Sequence, residues 1–265
     1  DDDEAFEQCQ ELMIWQDAPK HPFLRLWPRS HFSVTHSPIE SEAGNFYMFA
    51  GEWYDGKLAT FYSDLFRVNL AILASEEKPQ PMFHQLYSAI PGRPGPVPRS
   101  SHQTCGHENH LYVFGGEWAS VNLRRYRQFK DLWCYDINAN RWEEIISENG
   151  PCKRSGHRMC IVNNKLLVFG GFTEKSTGEE YHSDLHVFDI ETKQWMSQNQ
   201  RQKLMKGKVR PSPRSGALFW CDNVSHDETP TKAWLYGGTR PAKGSRKKNV
   251  GLARSIERLN DLWCL

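Results

Sequence analysis

Arg154-Ser155-Gly156-His157 opens a stretch that runs on through Leu166-Leu167-Val168-Phe169-Gly170-Gly171 and Asp184-Leu185-His186-Val187-Phe188-Asp189 to Trp195. An arginine turn, an apolar strand stopped by two glycines, an Asp-Leu strand and a later tryptophan follow in that order. A recurring order of this kind has to be settled before any other reading of a fold. Here the arginine turn recurs as Pro28-Arg29-Ser30-His31, Pro98-Arg99-Ser100-Ser101-His102, Lys153-Arg154-Ser155-Gly156-His157 and Pro213-Arg214-Ser215-Gly216. The apolar strands end at Ala50-Gly51, Gly115-Gly116, Gly170-Gly171 and Gly237-Gly238, and the Asp-Leu strands begin at Asp64, Asp131, Asp184 and Asp261. Trp142 and Trp195 each stand eleven residues beyond their aspartate.

Each ingredient has a physical reason. Four short strands, apolar on both faces, make a small twisted sheet that must be buried between two neighbours. The glycine pair suits a strand end where a Cβ would obstruct a tight turn and the adjoining backbone. Ala50 indicates that its first position accepts a methyl. The aspartate can accept local backbone hydrogen bonds, and the arginine is expected to pair with such an acid or with carbonyls between units. Trp142 and Trp195 should pack between adjacent sheets, each burying a large area.

In this combined order, residues 20–265 resemble the kelch-repeat β-propellers. Gly51-Glu52-Trp53, Gly115-Gly116-Glu117-Trp118 and Phe129-Lys130-Asp131-Leu132-Trp133 look like the group formed by Kelch domain-containing protein 4 and its fungal relatives. The resemblance implies an all-β propeller with an acidic helical lead-in, here residues 1–19. It also implies a ring of about six or seven blades. Four are recognisable, at approximately 20–90, 91–147, 148–200 and 208–265, the last lacking its fourth strand and tryptophan. This chain is therefore expected to be part of a longer protein, and an open stack of sheets to aggregate unless its edges are covered. Extra length falls in connections at residues 73–98, 173–182, 223–232 and 239–260, where growth is tolerated and binding tends to occur.

Composition narrows the partners. With 33 Lys+Arg against 32 Asp+Glu, the formal net charge of +1 creates no global field for nucleic acid or membrane. Apolar runs are too short for a transmembrane helix, and no signal peptide is evident. Seven cysteines, an odd number without a C-x-x-C pair, fit a reducing compartment. The expected location is intracellular, with the cytoplasm ahead of the nucleus. Acidic Asp1 to Glu4 followed by Phe6, Cys9, Leu12, Met13 and Trp15 predicts a short amphipathic helix. It would pack on the rim or serve as a docking peptide.

No constellation predicts catalysis. His31, His102 and His157 are expected to share one repeat position after the arginine turn, so all three read as structural. His182-Ser183-Asp184 lies along a strand, where neighbours point to opposite sides and cannot form a relay. His107-Glu108-Asn109-His110 occupies a turn without helical zinc-site geometry, and no cofactor fingerprint is present. Some kelch propellers are copper radical oxidases, but the required tyrosine, cysteine and histidine set is not recognisable. No enzyme activity, cofactor, metal or small-molecule substrate is expected.

The leading expectation is a scaffold binding another protein or a multi-subunit assembly through loops at 52–63, 117–130 and 172–183. Glu52, Trp53, Tyr54, Glu117 and Trp118 are candidate anchors, and Arg124, Arg125 and Arg127 are candidate polar contacts. An alternative is an RNA-associated role through basic loops of the fourth unit, with Lys206, Lys208, Arg210, Arg246, Lys247 and Lys248 as phosphate or acidic-surface contacts. A third, by analogy with other kelch proteins, is a substrate receptor of a ubiquitin ligase.

Overall fold

The structure, a computed structural model, describes residues 28–42, 44–69, 83–90, 92–222, 232–242 and 256–265. The expected N-terminal helix and Arg246, Lys247 and Lys248 lie outside the described residues. The rest forms four antiparallel blades. Blade 1 is β1 (Ser33–His36), β2 (Asn45–Tyr54), β3 (Ala59–Asn69) and β4 (Phe83–Tyr87). Blade 2 has β5 (Gln103–His107) and β6 (His110–Phe114), a ribbon of β7 (Glu117–Ala119) and β8 (Tyr126–Gln128), then β9 (Leu132–Asp136) and β10 (Arg141–Ile145). Blade 3 repeats this with β11 (Arg158–Val162), β12 (Lys165–Phe169), ribbon β13 (Phe172–Lys175) and β14 (Gly178–Tyr181), β15 (Leu185–Asp189) and β16 (Gln194–Trp195). Blade 4 comprises β17 (Leu218–Asp222), β18 (Lys232–Tyr236), ribbon β19 (Thr239–Pro241) and β20 (Ile256–Arg258), and β21 (Leu262–Cys264). Its main sheet has three strands.

The recurring arginine latches its own blade, so the pairing between units considered above is not what it does. Arg29, Arg99, Arg154 and Arg214 each make a two-pronged bond to Asp64, Asp131, Asp184 and Asp261, with N–O distances between 2.6 and 3.1 Å. The same Nη1 donates to the carbonyl at the first glycine position, that of Ala50, Gly115, Gly170 or Gly237, at 2.8–3.0 Å. Arg99, Arg154 and Arg214 are completely buried. A buried guanidinium is tolerable only when its donors are met, and the carboxylate fork and carbonyls meet them.

Recurring backbone hydrogen bonds join neighbouring blades. The amides of Gly51, Gly116 and Gly171 donate to the carbonyls of Arg99, Arg154 and Arg214 in the next blade at 2.8–2.9 Å. In return the amides of those arginines donate to Tyr62, Phe129 and His182 at 2.9–3.1 Å. A glycine is needed here because the strand end also passes close to the first turn of its own blade. A Cβ on Gly116, at φ +94°, would lie 2.6 Å from the Ser100 carbonyl. A third series runs from the amides of Ser101, Gly156 and Gly216 to the carbonyls of His31, Ser101 and Gly156.

That series corrects one expectation. His31 aligns with Ser101, Gly156 and Gly216, all at positive φ, whereas His102 and His157 sit one residue later and are buried. The three histidines are therefore not equivalent.

Between the sheets lie the aromatic cores. Trp142 packs 5.2 Å from Phe49 and 6.0 Å from Tyr87 of blade 1, and 5.0 Å from Tyr135 of its own blade. Trp195 repeats this against Phe114 of blade 2 and Phe188 of blade 3. In register, Trp142 faces Tyr135 and Trp195 faces Phe188. Blade 1 has Phe83 at this place, opposite Val68. In blade 4 the corresponding space is an apolar groove of about 200 Å³ lined by residues including Phe169, Leu235, Leu265 and Val209.

The far face of blade 4 has no neighbour among the described residues. Leu218, Tyr236 and Leu262 lie in one cross-strand row and are 63%, 44% and 58% exposed. This chain is accordingly expected to self-associate with rising concentration, and Tyr236→Lys to lower that association in sedimentation velocity. A monomer across the accessible concentration range would contradict the expectation.

Candidate functional site

Antiparallel strand order puts two kinds of connection at the same end of every blade. One is the link from the second strand to the third, and the other is the link from each blade to the next. All four ribbons therefore rise from one face, as the extended β2–β3 hairpin and as β7–β8, β13–β14 and β19–β20. They also touch sideways. The Ala59 amide donates to the Val121 carbonyl at 3.1 Å, joining the ribbons of blades 1 and 2. Gln128 reaches Ser155 Oγ at 2.7 Å and the Phe172 carbonyl at 3.2 Å, and its Oε1 receives the Glu174 amide. A row of independent loops becomes a connected rim.

The candidate anchors divide by environment. Glu52 turns inward, accepting from Ser100 Oγ at 3.1 Å and meeting His31 Nδ1 at 2.8 Å. That bond to Glu52 raises the His31 pKa above its ordinary value, against the opposing effect of burial. Glu117 is likewise held, by Tyr126 Oη at 2.5 Å. Trp53 and Tyr54 point outward at 40% and 54% exposure. Trp118, at the equivalent place in blade 2, is half-buried and packs on Phe61 of blade 1 with ring centres 6.5 Å apart. The acids therefore tie the rim together, and the aromatics of blade 1 present its apolar surface.

Arg124, Arg125 and Arg127 are exposed on the neighbouring ribbon beside exposed Val121, Leu123 and Tyr126. Arg127 lies 5.2 Å from the centre of the Phe129 ring, a cation–π contact that holds its stem.

The basic stretch leading to Lys206, Lys208 and Arg210 is not simply a loop. Its start is a helix, α1 (Gln198–Met205), opened by a reciprocal capping box between Ser197 and Gln200. Arg201 is consumed structurally, donating to His186 Nδ1 at 2.7 Å and to the carbonyls of Asn149 and Met196. Because a guanidinium only donates, Nδ1 must accept and the opposite Nε2–H points to Asp184 at 2.8 Å. Lys203, Lys206, Lys208 and Arg210 remain exposed. In the β19–β20 ribbon Arg240 forms a two-pronged pair with Glu257 at 2.8 and 3.1 Å.

His182 does not act with Ser183 and Asp184. Its Nε2 lies 2.7 Å from Thr173 Oγ1 and 3.7 Å from Cys152 Sγ. Sequence reasoning missed this grouping because Cys152 is remote in the chain. The available signal was that Cys152 stands two residues before its arginine, as Ser212 does in blade 4.

His107 and His110 pair across the β5–β6 turn, as expected. The cleft beside them at the opposite end includes Tyr112 and Cys134. Burial pushes the Cys134 thiol up to about 11 and Tyr112 upward as well, so neither is a ready nucleophile.

Comparison with known proteins agrees with this geometry. The KLHDC2/KLHL20/DRC7 Kelch-repeats domain matches residues 35–265. The chain belongs to the kelch-repeat family. Kelch domain-containing protein 3 of Homo sapiens is 38% identical over 103 residues, covering 36% of this chain and 26% of that protein. Kelch domain-containing protein 10 of Rattus norvegicus is 31% identical over 157 residues, covering 57% of this chain and 35% of its own length. The matched regions thus span about a quarter to a third of these relatives. The solved structure of YjhT aligns with a TM-score of 0.52 at 19% identity, over 80% of this chain and 59% of that one. At that identity the likeness concerns the fold alone, and it is the kelch propeller seen here. Among the described residues, no helix is long and apolar enough to cross a membrane.

Proposed function

We propose that this kelch propeller is a non-catalytic scaffold whose ribbon face binds a protein partner within a larger assembly. The carrying observation is the connected rim, on which Trp53, Tyr54 and Tyr126 stand exposed beside Arg124, Arg125 and Arg127. Exposed aromatics and arginines on a scaffold that holds its own acids inward have the chemistry of interface anchors. The shared Glu-Trp pairs at 52–53 and 117–118 support a finer kinship with the group of Kelch domain-containing protein 4. Cys105, Cys134, Cys152, Cys160 and Cys264 are free thiols, which supports an intracellular setting.

Trp53→Ala is expected to reduce recovery of the partner set about tenfold in quantitative affinity capture. Stability should stay within about 0.5 kcal/mol, as for a surface substitution. Undiminished capture by folded Trp53→Ala would remove Trp53 from the interface.

Exposed Lys203, Lys206, Lys208 and Arg210 favour one second reading, contact with RNA phosphates. Capture repeated with RNase and at high salt separates the two. A partner set that survives both treatments supports the protein scaffold, and one that collapses supports RNA.

A further inference from the structure

Cys152 lies in the connection from blade 3's predecessor to its first strand, at the foot of the β13–β14 ribbon. It is not a lone thiol, because three side chains converge on its sulfur. Arg154 Nη2 donates to Sγ at 3.2 Å. His182 Nε2 and Thr173 Oγ1 each lie 3.7 Å away.

The proton positions can be worked out. Thr173 Oγ1 gives its hydrogen to the Lys153 carbonyl at 2.7 Å. At its 2.7 Å contact with His182 it must therefore accept, which places the imidazole proton on Nε2, on the side of the sulfur. The arginine is equally constrained. Its Nε donates to the Cys152 carbonyl, its Nη1 to Gly170 and Asp184, and its Nη2 to Asp184, leaving one N–H for the sulfur. In blade 4 that last N–H goes to Ser212 Oγ at 3.0 Å. Blade 3 has put a nucleophile where blade 4 has a hydroxyl, and has added an imidazole donor. Cys152 is also exposed, whereas Cys160 is buried.

We propose that Cys152 is a covalent modification site, its sulfur attacking peroxides and soft carbon electrophiles from within the Arg154–His182–Thr173 cluster. With hydrogen peroxide, the sulfur lone pair forms an S–O bond as the O–O bond breaks. The sulfur is oxidised by two electrons to a sulfenic acid, and the departing hydroxide takes a proton from solvent. With an alkyl halide, an S–C bond forms and halide leaves. Electrostatics agree with the geometry. Burial works against the thiolate, but the His182 and Arg154 contacts outweigh it and bring the pKa down to about 6. The site stands independently of the partner reading, although it lies on the same face.

The test is the pH profile of iodoacetamide alkylation on the intact folded chain, read peptide by peptide, with a free cysteine peptide as reference. At pH 7 the advantage is expected to be small, roughly threefold, because a lower pKa also weakens the nucleophile. At pH 6 the reference is almost fully protonated, and Cys152 should react about tenfold faster. The midpoint of its profile should sit near 6 and move upward in His182→Ala. Dimedone should trap Cys152 after brief peroxide treatment. A wild-type midpoint matching the free peptide overturns the proposal, whether or not the variant folds. So does an unmoved midpoint in folded His182→Ala, which is what a merely structural sulfur would show.

Discussion

Replacing Arg154 by alanine is expected to cost about 3–5 kcal/mol of stability, the range for breaking a buried pair and stranding its partner. For a chain of this size that is roughly a 10 °C fall in Tm. The side chain is fully buried and all five of its N–H groups have acceptors. Its removal leaves the Gly170 carbonyl without this donor and Asp184 dependent on His186 alone. Arg154→Lys should recover little, since an ammonium cannot span a carboxylate fork and three other acceptors. Calorimetry giving less than about 1 kcal/mol for Arg154→Ala would show that the latch is not structural.

The same latches set an acid limit. Burial tends to raise Asp184, but bonds from Arg154 and His186 prevail and hold its pKa far below the usual range. At Asp261 the Arg214 bond leads, and the value falls to about 2. Both folded values lie below the unfolded one, so their contribution is complete above about pH 5 and is lost as pH falls toward the folded values. The gap between wild type and Arg154→Ala should therefore narrow below about pH 4.

Trp142→Ala is expected to lose about 3–5 kcal/mol by opening a cavity between blades 1 and 2. The ring is only 4% exposed and touches aromatics from both sheets. Its indole N–H has no partner among the described residues. Trp142→Phe, which removes that donor and keeps most of the ring, should consequently cost no more than about 1.5 kcal/mol. Near-equal losses for the two variants would mean that the indole N–H, rather than the packed area, stabilises the junction. Chemical denaturation monitored by far-UV circular dichroism distinguishes these outcomes.

Much of the scaffold was legible because a blade is defined by local order. Glycine at the strand end, aspartate at the start of the third strand and tryptophan on the fourth are requirements on single positions, and repetition made them conspicuous. The partner face was only partly legible. Glu52-Trp53 and Glu117-Trp118 look alike in sequence, yet Trp53 faces outward while Trp118 rests on Phe61. What differs is the neighbouring blade, which no local pattern records. The structural role of Arg201 was illegible for the same reason, since His186 comes beside it only through the packing of α1 on blade 3.

By itself, then, the chain's sequence determined the all-β blades, their number among these residues, and Trp142 and Trp195 as the seams between sheets. These follow from alternation, turn chemistry and repeat spacing, which act over a few residues. Tertiary structure alone decided that each arginine closes its own blade while backbone amides join one blade to the next. It alone brought Cys152 to His182. Those outcomes depend on register between strands and on where the guanidinium finds its last acceptor, and both are fixed only when the sheets have packed.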